Sequence, residues 1–182
     1  METAEKKNYI IFTGAPGSGK TTLINELAAL GGKFVPEPAR QIIAEQRKAH
    51  GKALPDKDPN LFTQELLSRS IEQFNGALTL QGPIYFDRGI PDVIAYARWY
   101  GLDLNEIEKA CQSHRYHSQI FMLPPWEDIY STDEERKMTF EQSVRFHGFL
   151  EDAYKSSNYQ LIEVPCASAK IRADFVLGKL RA

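Results

Sequence analysis

Gly14-Ala15-Pro16-Gly17-Ser18-Gly19-Lys20-Thr21, preceded by Asn8-Tyr9-Ile10-Ile11-Phe12-Thr13, is the stretch that decides how this chain folds. It is a complete G-x-x-x-x-G-K-[ST] phosphate-binding loop in the setting that gives the pattern meaning. Tyr9 to Phe12 form a short apolar run suited to a buried strand, and Thr21 to Leu30 read as a helix. Glycines permit backbone geometry that a side chain would obstruct. Their N–H groups, with those of the first helical turn, point at phosphate oxygens. Gly14, Ala15, Pro16, Gly17, Ser18, Gly19, Lys20, Thr21 and Thr22 are therefore the expected nucleotide-binding residues. Lys20 is placed to contact the β- and γ-phosphates, and the Thr21 hydroxyl to ligate Mg2+. The implied ligand is a nucleoside triphosphate. The loop alone leaves open what, if anything, receives the phosphoryl group.

Outward from this loop, short apolar runs alternate with longer helical patterns, the layout of an α/β domain with a mostly parallel sheet. Strands are expected at Tyr9–Thr13, Lys33–Pro36, Ile84–Asp87, Gln119–Leu123 and Gln160–Val164. Their continuous apolar character fits strands covered by helices on both faces. Helices are expected at Lys20–Leu30, from Pro38 to about Ala49, and at Leu61–Leu80, Pro91–Tyr100, Leu104–Gln112, Glu134–Ser156 and Ala169–Leu180. Gly51 to Asn60, polar and carrying Pro55 and Pro59, reads as a loop. No repeat, low-complexity tract or Gly/Ser linker divides the 182 residues, so one domain is expected over 1–182, with a lid at about 124–140.

Composition narrows the partners. A formal net charge of -2 gives no electrostatic case for extensive nucleic-acid binding or for an anionic membrane. Cys111 and Cys166 do not form a close pair, which points to free thiols rather than a structural zinc site. The polar start, Met1 to Lys7, is neither a signal peptide nor a membrane span, and a cytoplasmic location is expected.

Three further segments carry side chains suited to chemistry. In Val35-Pro36-Glu37-Pro38-Ala39-Arg40, Glu37 ends a strand, where open α/β sheets place their ligand crevice. Glu37 is a candidate partner of an acceptor hydroxyl or a Mg2+-bound water, and Arg40, one helical turn on, of a phosphate or carboxylate. The alternative is a surface acid favoured by the helix dipole. In Ile84-Tyr85-Phe86-Asp87-Arg88-Gly89, Asp87 follows a hydrophobic strand as a Walker B carboxylate does. Its role is Mg2+ ligand or general base, two jobs that sequence does not separate. Arg88 would face a substrate oxyanion, and Asp92 and Tyr96 are weaker candidates for acceptor recognition. In Thr132-Asp133-Glu134-Glu135-Arg136-Lys137, Thr132 or Asp133 is a candidate helix cap. Arg136 is a candidate lid residue that stabilises developing charge, and a solvated charge run is the plainer account. Trp126 and Tyr130 either stack on a ring or pack the lid. The segment Glu163 to Arg172 is a candidate adenine-side loop, with backbone groups near Pro165 to Ala169 at the ring edge, or else a simple strand-to-helix connection; His114 and His117 lack a third metal ligand.

Taken together, Gly14–Thr21, Val35–Arg40, Tyr85–Gly89, Leu123–Trp126 with Thr132–Lys137, and Ile162–Pro165 resemble small P-loop kinases. More narrowly, they resemble the NadR-like, AAA-type P-loop ATPase group, whose relatives include a ribosylnicotinamide kinase domain. The resemblance implies a three-layer α/β/α fold with a five-stranded parallel sheet of order 2-3-1-4-5 and a short lid. It implies ATP and Mg2+ as cofactors, held with Thr21 and Asp87, and a small-molecule phosphoryl acceptor. Lys20, Glu37, Asp87, Arg88 and Arg136 are the implied catalytic residues, and Glu37, Arg40, Arg88 and Asp92 the acceptor-binding set. A homodimer is an allowed assembly. The chain is too short for a typical helical AAA+ lid domain, which argues against a ring-forming mechanical ATPase. Two other functions stay open: a nucleotide-dependent regulatory ATPase or switch, and a nucleic-acid end kinase.

Overall fold

Five parallel strands make one sheet: β1 (Tyr9–Gly14), β2 (Lys33–Val35), β3 (Ile84–Asp87), β4 (Gln119–Leu123) and β5 (Gln160–Glu163), in the order β2-β3-β1-β4-β5. The computed structural model describes residues 5–131 and 138–181. Successive side chains on a strand point to opposite faces, and β1 shows what that does here. Tyr9 and Ile11 enter one core with Ile84, Phe86 and Met122. Ile10 and Phe12 enter a second core with Tyr85, Phe121 and Leu123. Helices α1 (Lys20–Ala29) and α7 (Ala169–Arg181) cover the second face. Helices α2 (Pro38–Lys48), α3 (Pro59–Gly76), α4 (Ile90–Tyr100), α5 (Asn105–Ser113) and α6 (Phe140–Ser156) cover the first. This is the three-layer α/β/α arrangement and sheet order expected from the sequence. Continuous burial holds for the central strands, whereas β2 and β5 lie at the sheet edges and are partly exposed.

Two helix starts differ from expectation for local reasons. The stretch read as a loop to Asn60 gives way to α3 at Pro59. Proline suits the first helical position because its missing N–H has no partner there anyway. Asp58 caps the helix, its Oδ1 accepting from the Leu61 N–H at 2.9 Å. The same helix stops at Gly76 and passes into a short 3-10 turn, Ala77–Thr79, rather than running to Leu80. The expected start of the next long helix at Glu134, and its caps Thr132 and Asp133, lie outside the described residues. The helix described there, α6, starts at Phe140 behind a capping box. The Thr139 hydroxyl accepts from the Gln142 N–H at 3.2 Å, and Gln142 Oε1 accepts from the Thr139 N–H at 2.9 Å. Among the described residues no helix is long and apolar enough to cross a membrane.

Candidate active site

The phosphate loop joins β1 to α1, and the surrounding packing dictates its glycines. Gly14 has φ +140, and a Cβ there would lie 2.0 Å from the Leu123 carbonyl oxygen of the neighbouring strand. Gly19 has φ +81, and a Cβ there would meet Arg172 Nη1 at 3.0 Å. The loop's carbonyls are tied outward. Arg88 Nη2 donates to the Gly14 carbonyl at 3.2 Å, the Ser143 hydroxyl to that of Pro16 at 3.0 Å, and Arg172 Nη1 to that of Ser18 at 2.8 Å. With those oxygens held away, the first-turn N–H groups of α1, which have no intrahelical partner, make an anion cradle.

Lys20 is 7% exposed, and its Nζ stands 3.9 Å from Asp87 Oδ1. Burial pulls the Lys20 pKa down, Arg88 adds to that, and Asp87, Glu37 and Asp92 oppose it. Burial likewise pushes Asp87 up, against the pull of Lys20. The Thr21 hydroxyl donates to Asp87 Oδ2 at 3.2 Å, while Asp87 Oδ1 has no hydrogen-bond partner. A buried carboxylate oxygen lacking a donor, beside a hydroxyl, is an oxygen set that suits a hard divalent cation. Among the described residues, three of the four buried side-chain atoms without partners, Ser18 Oγ, Asp87 Oδ1 and Arg172 Nη2, cluster at this loop, and His147 Nδ1 is the fourth.

Arg88 organises the other half of the site. It follows β3 with φ +74, an uncommon conformation for a residue with a side chain. Its guanidinium has a protein partner at every nitrogen. Nε donates to Glu37 Oε1 at 2.8 Å, Nη1 to Asp92 Oδ1 at 2.8 Å, and Nη2 to the Gly14 carbonyl. Asp92, 2% exposed, also accepts from the Thr13 hydroxyl at 2.6 Å, the Gly89 N–H at 2.9 Å and the Tyr154 hydroxyl. Glu37 reaches Arg40 Nε at 3.4 Å through its second oxygen. Burial disfavours the Glu37 charge, but Arg88, Lys20 and Arg40 outweigh it and hold its pKa near about 2. Arg88 is firmly protonated, because Glu37, Asp92 and Asp87 outweigh its burial.

A cavity of about 860 Å³ opens over these groups. One end carries the phosphate loop with Trp126, Ile129, Ala167 and Arg172. The other is walled by Ala39, Arg40, Ile43 and Arg47 of α2, Phe62 of α3, and Tyr96, Trp99 and Tyr100 of α4. The expected residues Pro16, Gly17, Gly19, Lys20, Thr21, Thr22, Glu37, Arg40 and Arg88 all line it. Gly14, Ala15, Ser18 and Asp87 lie behind that surface, and Asp92 lies beneath Arg88 rather than on the cavity wall. Arg136 lies outside the described residues. Trp126 precedes a single 3-10 turn, Glu127–Ile129, so it does not share a helical face with Tyr130. His114 and His117 have structural contacts, with Phe74 and the Gln119 N–H. Among the described residues no cluster of three His, Cys, Asp or Glu is arranged to hold a metal.

Sequence reading placed Arg172 at the end of the candidate adenine-side loop without giving its side chain a role, named Tyr96 only as a weaker acceptor candidate, and missed the rest of the aromatic wall. Arg172 had one signal: it falls in the first turn of α7, where the helix dipole disfavours a cation. Such a placement asks for a compensating role. Phe62 and Trp99 carried no local signal, because aromatic residues at helical spacing usually mark core.

Residues 9–172 match a family model described as an AAA domain. No curated protein matches the chain. Among solved structures, the thymidylate kinase from Ehrlichia chaffeensis is similar, with 20% identity, TM-score 0.66, and 96% of this chain and 98% of that one covered. A deoxyadenosine kinase from M.mycoides aligns with 15% identity and TM-score 0.65, covering 95% and 98%. The shikimate kinase from Acinetobacter baumannii aligns with 17% identity and TM-score 0.58, covering 97% and 94%. At these identities the likeness is one of fold, that of small P-loop kinases.

Proposed function

The chain belongs to this AAA-domain family of P-loop proteins, and on that premise we propose that it is a small-molecule kinase. It transfers the γ-phosphoryl group of ATP to a hydroxyl of a small metabolite, a nucleoside or a ribosylnicotinamide-like compound. The observation that carries this reading is the continuity of one cavity. A phosphate cradle at one end meets, at the other, an aromatic-walled pocket with Glu37 at the junction. The fold shared with thymidylate, deoxyadenosine and shikimate kinases supports phosphoryl transfer as the reaction class.

Glu37 and Arg88 suit a hydroxyl as the attacking group. Arg88 is fully engaged by Glu37, Asp92 and the Gly14 carbonyl, so it offers no open fork to a second phosphate. Glu37 is ionised, and its oxygens retain lone pairs beyond those met by Arg88 and Arg40. It therefore accepts a hydrogen bond from an acceptor hydroxyl. A carboxylate with a pKa near about 2 is a weak base. That suffices, because phosphoryl transfer depends more on positioning and electrostatics than on prior deprotonation. Glu37 thus orients the attacking oxygen, and Lys20 offsets negative charge on the transferring group. Thr21 and Asp87 would hold Mg2+, which would supply positive charge to offset the negative charge of the phosphates. The stretch over Pro124 to Phe140 serves as the lid that keeps water from the donor.

A coupled ADP-release screen over nucleosides, ribosyl-pyridines, nucleotides and other phosphorylated metabolites tests this. ADP formation should be slow without acceptor and rise with a ring-bearing alcohol. Rapid hydrolysis unchanged across the panel would sink the proposal.

A further inference from the structure

Among the described residues Asp92 accepts from four donors. The Thr13 hydroxyl and Arg88 Nη1 reach Oδ1, and the Gly89 N–H and the Tyr154 hydroxyl reach Oδ2. A carboxylate has about four lone-pair sites, so this one is saturated. Gly89 and Arg88 are near Asp92 in the chain, and Thr13 stands on the neighbouring strand β1. Tyr154 is different: it comes from α6, 62 residues on. Its ring fills the core, 0% exposed, edge-on to Tyr159 at 5.8 Å. Phenylalanine would fill the same space without burying a polar group, and burial of an unbonded hydroxyl is costly. The hydroxyl therefore has its use at Asp92. Burial, reinforced by the Asp92 charge, holds the phenol well above its ordinary pKa, so it stays a donor.

Arg88 is what depends on Asp92. Its guanidinium is shared between two acids, with Nη1 on Asp92 and Nε on Glu37, both at 2.8 Å. The two carboxylates compete for one cation. With all four sites of Asp92 met, Nε stays on Glu37. With one site emptied, a buried and under-satisfied Asp92 draws the guanidinium towards itself, at the expense of Glu37. The same helix also holds the donor loop, through the Ser143 hydroxyl on the Pro16 carbonyl.

We propose that Tyr154 is a positioning residue of the phosphoryl-transfer site: by filling the fourth acceptor position of Asp92 it keeps Arg88 on Glu37, and so holds Glu37 where the acceptor hydroxyl meets it. The contacts run Tyr154–Asp92–Arg88–Glu37, from α6 to the start of α2. Tyr154 itself touches no substrate. The use made of Glu37 rests on the kinase reading, whereas the clamp on Arg88 does not, and two measurements separate them.

The first needs no substrate. In the whole chain labelled with 15N in arginine, the Arg88 Nε–H is the slowly exchanging signal that moves in Glu37→Gln. Tyr154→Phe keeps the ring and should shift that signal and speed its exchange with water at least about tenfold, because local opening sets the exchange rate. Tyr159→Phe is the control. It strands the Tyr116 N–H, which now donates to the Tyr159 hydroxyl at 3.2 Å, and so lowers stability, but it should leave the Arg88 signal in place. An unmoved signal in Tyr154→Phe, or the same change in both variants, would overturn the proposal. The second measurement is turnover with the acceptor found in the ADP-release screen. Tyr154→Phe should lower kcat about tenfold, as a displaced orienting group does. Mg-ADP affinity by calorimetry should stay within about twofold, since Ser143 and Arg172 still hold the loop. Added to Glu37→Gln, it should cost no further turnover, because the two act as one unit. Full turnover for Tyr154→Phe where Glu37→Gln is slow, or an additive loss, would overturn the positioning role. A shifted Arg88 signal in a chain that phosphorylates no acceptor would overturn the kinase reading and leave the clamp standing.

Discussion

Asp92→Asn is the substitution that tests the frame behind the site. The change is nearly isosteric, so packing is preserved and only charge and hydrogen-bond direction alter. Asp92 Oδ1 accepts from the Thr13 hydroxyl and Arg88 Nη1, and Oδ2 from the Gly89 N–H and the Tyr154 hydroxyl. An asparagine turns one of those oxygens into an NH2 group. The hydroxyls can rotate to accept from it, but Arg88 Nη1 and the Gly89 N–H cannot. Either orientation of the amide therefore strands one fixed donor in a site only 2% exposed. An unmet buried donor costs about 1–3 kcal/mol. Removing one partner of a buried ion pair costs about 3–5 kcal/mol. The two overlap when the stranded donor is Arg88, so the expected loss of unfolding free energy is about 3–5 kcal/mol. With a urea slope of about 2 kcal/mol/M, the unfolding midpoint should fall by about 1.5–2.5 M. The assay is equilibrium urea unfolding followed by far-UV circular dichroism, comparing midpoint and slope. For contrast, Glu106→Gln breaks the exposed pair with Lys109 and should leave the midpoint in place. A midpoint shift below about 0.5 M for Asp92→Asn, with an unchanged slope, would refute the claim that this carboxylate organises Arg88.

Other predictions follow from the same geometry. Lys20→Met should abolish ADP formation in a chain that far-UV circular dichroism shows to be folded, because it removes the cation facing the phosphates; an active variant would exclude the assigned role. Glu37→Gln should lower turnover by at least about tenfold, as expected for loss of a group that orients the nucleophile. The Glu37 pKa is depressed from 4.5 to about 2, so its stabilisation is complete above the unfolded value and is lost as pH falls between the two. Acid titration of the unliganded chain should therefore show about 3 kcal/mol of stability lost over that window, and Glu37→Gln should flatten the curve. Gly14→Ala should unfold the chain or displace the loop, since its Cβ would fall 2.0 Å from a backbone oxygen; a crystal structure of a stable variant with the loop unmoved would contradict this. Asp87→Asn should raise the Mg2+ concentration needed for half-maximal turnover by at least about tenfold, as loss of one charged ligand from an oxygen site predicts.

The parts legible from sequence were those with a local physical cause. The phosphate loop announces itself because its backbone must reach a phosphate, which fixes glycines, lysine and threonine at set spacings. The strands followed from short apolar runs, and their order from the resemblance to small P-loop kinases. Asp87 and Glu37 were legible because strand ends face the crevice in such sheets. Helix starts at Pro59 and Phe140 were less so, since proline's fitness for a first turn and the Thr139–Gln142 capping box act over a few residues only. Asp92 read as a substrate contact because sequence does not show that Arg88 turns back onto it at φ +74. The aromatic wall and the Arg172 clasp are assembled by residues far apart in the chain, such as Phe62 with Tyr96 and Arg172 with Ser18. No spacing rule joins them.

The most direct test of the central claim follows the phosphoryl group itself. ATP carrying heavy oxygen in its γ-phosphoryl group is incubated with the chain, Mg2+ and the acceptor found in the screen, and the products are weighed by mass spectrometry. The account predicts that the heavy phosphoryl group appears on a hydroxyl of the acceptor and that Glu37→Gln slows its arrival. Label found only in inorganic phosphate, at a rate the acceptor does not change, would contradict it.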